Sequence, residues 1–144
     1  MRLAIDVGSV RIGVAQSDAR GILAFPVDAV PAGDDSCARV ARLAIECEAV
    51  EIIVGLPIGM NGFEGHAAGV ARAWAEKLGD KVLIPITFVD ERLSSVQAQR
   101  GLHAAGRTTK TSRTVIDSAS AVVVLQSYLD ARSSGISGTE GLRS

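Results

Sequence analysis

The sequence has few aromatic, cysteine and histidine residues, and it has no long apolar run. Aromatic residues make up only 3% of the chain, which leaves little material for stacking nucleic-acid bases on aromatic rings. The two cysteines, Cys37 and Cys47, lack the spacing of a zinc site, so free, buried thiols are expected, with a disulfide left open. Neither His66 nor His103 has a partner at metal-ligand spacing.

No apolar run approaches the roughly 18 residues that would span a bilayer, and no signal-peptide pattern follows Arg2. The sequence therefore predicts a soluble, cytoplasmic protein that does not bind membranes. With 144 residues, 47% hydrophobic and 22% charged, the chain has the composition of one globular domain with an aliphatic core. Residues 132–144 are rich in Gly and Ser without periodicity, so we expect a flexible C-terminal tail after a domain over 1–131.

Positive charge is concentrated in the second part of the chain, although the net charge of −1 argues against coating nucleic acid by bulk charge. Residues 1–91 contain eight basic and thirteen acidic side chains, whereas residues 92–144 contain seven basic and three acidic ones. Segment 92–116 has no acid, which favours either a phosphate-contacting patch or a solvated face. Its basic residues are Arg92, Arg100, Arg107, Lys110 and Arg113.

The hydrophobic pattern predicts an α/β fold in the order βββαβαβαα. Three strands form an antiparallel meander, at 2–8, 11–17 and 22–30. A helix with apolar residues from Val40 to Cys47 follows, and an Asp or Ser is expected to cap its start. The remaining elements are strands at 51–56 and 82–89, helices at about 65–78, 94–105 and 113–131, and a basic loop at 106–112. Apolar strands that alternate with helices indicate parallel pairing, so we expect a five-stranded mixed sheet flanked by helices.

Four carboxylates stand where this topology would bring them to one edge of the sheet. Asp6 lies inside an apolar strand, where an ionised group is costly unless it is paired or binds a cation. Asp90 and Glu91 follow a later strand, and because neighbouring side chains alternate, only one of them is expected to face a shared site. Asp117 is expected in the first turn of the last helix, on the face against the sheet. Oxygen ligands without His or thiolate suit Mg²⁺ or Mn²⁺, and two such ions can clamp a phosphodiester.

Each acid also has a purely structural interpretation. Asp6 could bond a neighbouring turn, and Asp90 could cap the next helix. Glu91 could pair with Arg92 in solvent, and Asp117 could interact with its helix dipole.

Four segments, in order, closely resemble the YqgF family, also called RuvX, of bacterial RNase H-like nucleases. They are DVGSVRIGVAQSD (6–18), VGLPIGMNGFEG (54–65), VDERLSS (89–95) and IDSASAVVVLQSYL (116–129). The resemblance covers about residues 1–131 and implies that they form an RNase H-like nuclease domain. It also implies divalent-metal-dependent phosphodiester hydrolysis, in maturation of the 5′ end of pre-16S ribosomal RNA or in resolution of Holliday junctions.

The resemblance implies roles for individual residues. Asp6, the Asp90–Glu91 pair and Asp117 would be the catalytic acids and would hold two Mg²⁺ or Mn²⁺ ions. Substrate would be bound by Gly8, Arg11, Gly13, Gly55, Pro57 and Asn61, and by Arg92, Lys110 and Arg113 in the basic segment. The glycines have the alternative of simple turn geometry.

Two other classes of function are compatible with parts of the pattern. A module that binds structured nucleic acid without cutting it would keep the basic segment and give the acids structural roles. A sugar kinase or chaperone-type ATPase would use D-x-G-x-x-x-x-G (6–13) for nucleotide phosphates, but such enzymes close two domains around ATP and this chain has room for one. The sequence is compatible with an RNA substrate and with a DNA substrate. It is also compatible with a monomer and with a homodimer.

Overall fold

The computed structural model describes residues 1–58, 65–91 and 113–133; of residues 113–115 and 133 it describes the backbone alone. The strands are β1 (Arg2–Val7), β2 (Arg11–Ser17), β3 (Ala24–Pro31), β4 (Glu51–Leu56) and β5 (Ile86–Asp90). The helices are α1 (Ser36–Glu46), α2 (His66–Gly79) and α3 (Arg113–Ser133). No helix in these three ranges is long and apolar enough to cross a membrane.

The five strands form one mixed sheet in the order β3-β2-β1-β4-β5. The pairs β1–β2 and β2–β3 are antiparallel, whereas β1–β4 and β4–β5 are parallel. This is the predicted fold class, with three antiparallel strands followed by two parallel ones. The parallel pairing brings the carboxyl ends of β1, β4 and β5 to the same edge of the sheet.

Alternating side chains give the sheet two apolar faces. Residues such as Ile5 and Val54 pack with α1 and α2 on one face. Ala4, Ala15 and Ile53 pack under α3 on the other. Every residue of β4 is buried, as expected for the continuous apolar run EIIVGL.

The last strand begins later than the sequence predicts. Residues 82–85 lie outside β5, and the Leu83 side chain is fully exposed, at 105% of its reference area. The Pro85 carbonyl still accepts a hydrogen bond from Ile52, but proline has no N–H to extend a ladder. Residues 82–85 (VLIP) are therefore apolar like the strand that follows them, but they are not part of it.

Other boundaries shift slightly. β3 begins at Ala24 rather than at Ile22, because the Asp18 carboxylate accepts hydrogen bonds from the N–H groups of Ile22 and Leu23 and closes a turn there. α3 runs to Ser133, two residues beyond its predicted end. The predicted helix 94–105 and loop 106–112 lie outside the described residues, as does the tail after residue 133.

The predicted side-chain cap of α1 is not formed. Asp35 is the N-cap residue, but its carboxylate pairs with Arg39 at 2.9 Å and makes no capping hydrogen bond. The Ser36 hydroxyl is used elsewhere, since it accepts a 2.9 Å hydrogen bond from the Trp74 indole. Both cysteines are free: Cys37 is buried as predicted, whereas Cys47 is partly exposed.

A polar network closes the amino-terminal end of the parallel strands. The buried Glu51 carboxylate accepts hydrogen bonds from Arg2, Thr87 and Tyr128, so one group joins β1, β4, β5 and α3. Burial acts to raise the pKa of Glu51, but these hydrogen bonds outweigh it and hold that pKa below its usual value.

Candidate active site

The first acid of the site is placed by β1. Asp6 comes two residues after Ala4 and therefore lies on the same face of the sheet, the face that α3 covers. Its register partner on β2 is Gly13. On its other side Ile5 pairs with Val54, so Gly55 follows beside Asp6 at the carboxyl edge. Asp6 thus lies at the end of β1, between two strands that each present a glycine to it.

The structure brings Glu91 next to Asp6. The two carboxyl groups share a hydrogen bond, and the Glu91 side chain lies over Gly55. A Cβ added at Gly55 would stand 2.7 Å from Glu91 Oε2. Asp90 comes two residues after Phe88 and therefore lies on the same face of the sheet as Phe88, the face that packs on α1 and α2. Of the two adjacent acids, Glu91 is therefore the one that lies beside Asp6, a choice that the sequence left open.

The contact between these acids changes the titration of Glu91. Burial raises the pKa of Glu91 to about 7, and the charge of Asp6, the hydrogen bond with Asp6 and the charge of Asp90 act in the same direction. Near neutral pH the Glu91 carboxyl is therefore about half protonated. Perturbed acids of this kind are typical of functional sites, because a bound cation can replace the proton.

The third acid comes from α3. The helix begins at Arg113 as predicted, and Asp117, its fifth residue, lies in the second turn rather than in the predicted first turn. Its side chain is 18% exposed, and Oδ2 lies 3.6 Å from Arg11 Nε. Gly13 separates it from the first acid: a Cβ there would lie 3.0 Å from the Asp117 carbonyl oxygen and 3.6 Å from Asp6 Cβ. The helix can approach the sheet this closely only over a residue without a side chain.

The donor set suits a hard divalent cation, with one qualification from the geometry. Asp6, Glu91 and Asp117 offer carboxylate oxygens only, and Gly13 and Gly55 let the chain segments that carry these acids approach one another closely. Within the described part of the chain, however, no three His, Cys, Asp or Glu side chains lie close enough to hold one metal ion. Asp6 and Glu91 are already in contact, whereas Asp117 faces Arg11, so a three-carboxylate site requires Asp117 to leave that ion pair.

The structure describes some of the predicted substrate residues and leaves others outside its range. Gly8 forms the tight turn between β1 and β2, since its N–H donates to the Arg11 carbonyl and a Cβ there would lie 2.5 Å from that oxygen. The Arg11 side chain is 48% exposed at the mouth of the site. Pro57 directly follows β4 at the same edge. Asn61, Arg92 and Lys110 lie outside the described residues, and only the backbone of Arg113 is described.

One residue of the site is missed by the sequence analysis. The small residues Ser118 to Ala121 predict close packing of α3, and Ser118 and Ala121 are indeed fully buried. The hydroxyl of Ser118 also enters the hydrogen-bond ladder of the sheet. The available signal was a serine directly after an acid on the buried stripe of the helix.

Several known proteins resemble this chain. Residues 1–131 match the family model described as RuvX, Holliday junction resolvase. A Rhodococcus opacus (strain B4) protein named as a candidate pre-16S rRNA nuclease is 48% identical over 142 residues, or 94% of this chain and 80% of the relative. A Streptomyces coelicolor protein of the same name is 45% identical over 145 residues, or 98% of this chain and 87% of the relative.

Solved structures share the fold. RuvC from T. thermophilus, in complex with a Holliday junction substrate, has a TM-score of 0.61 at 14% identity, covering 96% of this chain and 99% of that chain. The Fowlpox virus resolvase in complex with Holliday junction DNA has a TM-score of 0.53 at 10% identity, covering 91% and 99%. These similarities identify the fold of this chain as RNase H-like, in agreement with the prediction.

Proposed function

This chain belongs to the RuvX family, and from its carboxylate cluster we propose that it is a nuclease that hydrolyses phosphodiester bonds with the help of divalent cations. The observation that carries the proposal is the contact between Asp6 and Glu91 over Gly55. Two carboxylates in contact at a sheet edge are costly without a cation, and a hard cation favours such ligands. The contact between Glu91 and Asp6 supports Glu91, rather than Asp90, as the second ligand.

The chain's own residues have separate tasks in this proposal. Asp6, Glu91 and Asp117 would hold Mg²⁺ or Mn²⁺, with two ions as the full complement, and Glu91 would act as a ligand in its deprotonated form. When bound, such ions stabilise the charge that develops on a phosphodiester. Arg11 leaves Asp117 to contact the phosphate, since it is half exposed at the mouth of the site. The glycine turn at Gly8 lets the backbone approach the substrate.

The proposed substrate is the 5′ end of pre-16S ribosomal RNA, which implies a cytoplasmic protein. The supporting observation is the name shared by the relatives from R. opacus and S. coelicolor. The second candidate is a four-way DNA junction, which is favoured by the family description and by the RuvC complex. Symmetric cutting of a junction requires two sites related by a two-fold axis, so this alternative also implies a homodimer.

One parallel assay tests the reaction and separates the two substrates. Labelled pre-16S RNA fragment and labelled four-way DNA are incubated with the protein and Mn²⁺ or Mg²⁺. Asp6→Asn is compared with Asp80→Asn, which alters an exposed aspartate at the end of α2, away from the site. We expect cleavage of the RNA by the parental protein and by Asp80→Asn, and none by Asp6→Asn.

Each other outcome has a defined meaning. Paired symmetric nicks in the junction, with intact RNA, would identify a resolvase. Binding of either nucleic acid without cleavage and without any metal requirement would favour a non-catalytic binding module. If folded Asp6→Asn cleaves at the parental rate, the proposed carboxylate mechanism is wrong.

A further inference from the structure

The β2–β3 ladder is irregular directly beside the site. Ile12 pairs with Val30, but Val14 pairs with Val27, so the single residue Gly13 faces two residues of β3. Gly13 is also the register partner of Asp6. The bulge therefore lies at the position where the sheet meets both Asp6 and the start of α3.

A side chain from α3 completes the ladder at this bulge. The Ser118 hydroxyl accepts a 3.2 Å hydrogen bond from the Val14 N–H and donates a 2.6 Å hydrogen bond to the Val27 carbonyl. Val14 and Val27 are register partners, so the hydroxyl bridges two backbone groups of one strand pair. Ser118 is fully buried, and its hydroxyl group accepts a hydrogen bond from β2 and donates one to β3.

Asp117 directly precedes this bridge. We propose that Ser118 is a positioning residue, whose hydroxyl, inserted between β2 and β3, fixes the backbone of Asp117 beside the contact of Asp6 with Glu91. The proposal rests on the proposed nuclease function, because it concerns the placement of the third acid. Two hydrogen bonds to two strands fix the depth and the rotation of the helix here, and the backbone of Asp117 lies against Gly13 as a result.

Packing alone does not explain this arrangement. An alanine at residue 118 would fill nearly the same volume, but it would leave a buried N–H and a buried carbonyl without their bridge. The Val14 N–H and the Val27 carbonyl would then bond each other directly or bond a water molecule. Either change moves residue 118 of the helix, which is next to Asp117. Ser127 provides a contrast in the same helix, because it is also buried but its hydroxyl has no hydrogen-bond partner in the described ranges.

The test compares Ser118→Ala with the matched control Ser127→Ala in the full chain. Three quantities are measured: amide hydrogen exchange at Val14, the Kd for Mn²⁺ by calorimetry, and kcat and KM for nucleic-acid cleavage. For Ser118→Ala we expect Val14 to exchange about tenfold faster or more, as for the loss of one hydrogen bond. We expect the Kd for Mn²⁺ to rise and kcat to fall by about tenfold or more, the usual effect of losing a group that orients a metal ligand, with little change in KM. Ser127→Ala should match the parental protein in all three.

Several results would overturn the proposal. One is a folded Ser118→Ala protein with the parental Kd and kcat; another is an equal loss in Ser127→Ala. If Ser118→Ala does not fold, Ser118→Cys keeps the shape of the side chain and weakens both hydrogen bonds, and it must show the same losses. A parental protein that neither binds Mn²⁺ nor cleaves would instead refute the proposed function, and the positioning role with it.

Discussion

Glu91→Gln should make the protein more stable at alkaline pH while removing its metal response. The pKa of Glu91 is raised from 4.5 to about 7 in the folded chain, first by burial and then by Asp6. Between these values the folded state keeps a proton that the unfolded state releases. The free energy of unfolding of the parental protein therefore falls as the pH rises through this window, and the loss is complete above the folded pKa.

The size of the effect follows from the same shift. A pKa raised from 4.5 to about 7 corresponds to about 3 kcal/mol, and screening by water at a half-buried carboxyl reduces this to about 2 kcal/mol. Glutamine keeps the shape of the side chain but carries no charge. At about pH 8 the free energy of unfolding of the variant should thus be about 2 kcal/mol higher than that of the parental protein. At about pH 4 the charge of Glu91 should cause no difference between the two proteins.

Urea unfolding at both pH values, with and without Mg²⁺, measures this. Mg²⁺ should raise the free energy of unfolding of the parental protein at the higher pH and leave Glu91→Gln nearly unaffected. Glu76→Gln, on the exposed side of α2, is the matched control and should behave like the parental protein throughout. A stability difference between Glu91→Gln and the parental protein that is the same at both pH values would refute the reasoning, as would equal stabilisation of both by Mg²⁺.

Three further substitutions test the packing beside the site, the open face of α2 and the Glu51 network at the opposite end of the sheet. Gly55→Ala places a Cβ 2.7 Å from Glu91 Oε2 and 3.1 Å from Val124 Cγ2, so calorimetry should show weaker Mn²⁺ binding and urea unfolding a loss of about 1–3 kcal/mol. Gly69→Ala, with open space in α2, should gain about 0.5–1 kcal/mol in free energy of unfolding; a loss there would contradict the position of Gly69 on an open face of the helix. Tyr128→Phe removes a hydrogen bond to Glu51 and should cost about 1–3 kcal/mol at neutral pH. That cost should shrink as the pH falls through the folded-state pKa of Glu51, which lies below the usual 4.5, because the carboxylate then becomes protonated; a constant cost would contradict the assigned network.

Much of the fold could be predicted because the period of the apolar residues changes between elements. The alternating runs at β1 and β2, the continuous apolar run of β4 and the helical spacing in α1 each indicate their element directly. The start of β5 could not be found in this way. Leu83 is as apolar as a core residue yet fully exposed, and only Pro85 signalled that the ladder begins later.

The site was predictable at the level of residue type but not of geometry. The positions of Asp6, Asp90, Glu91 and Asp117 in the predicted elements indicated a shared edge. The choice of Glu91 over Asp90 depends on which face Val89 occupies, and that is fixed by the pairing of β5 with β4. The role of Ser118 depends on how close α3 comes to the bulge, a tertiary distance that no local period encodes.

The arrangement of the acids along the chain has a consequence for biosynthesis. Asp6 emerges with β1, but Glu91 directly follows β5 and Asp117 lies in α3, the last described helix. The contact between Asp6 and Glu91 forms only after β4 has paired with β1 and β5 has paired with β4. Such non-local contacts form late in folding, because the loops between them must close first. A nascent chain that lacks β5 or α3 therefore has no assembled carboxylate cluster, so the proposed activity requires that these elements have been made and have packed.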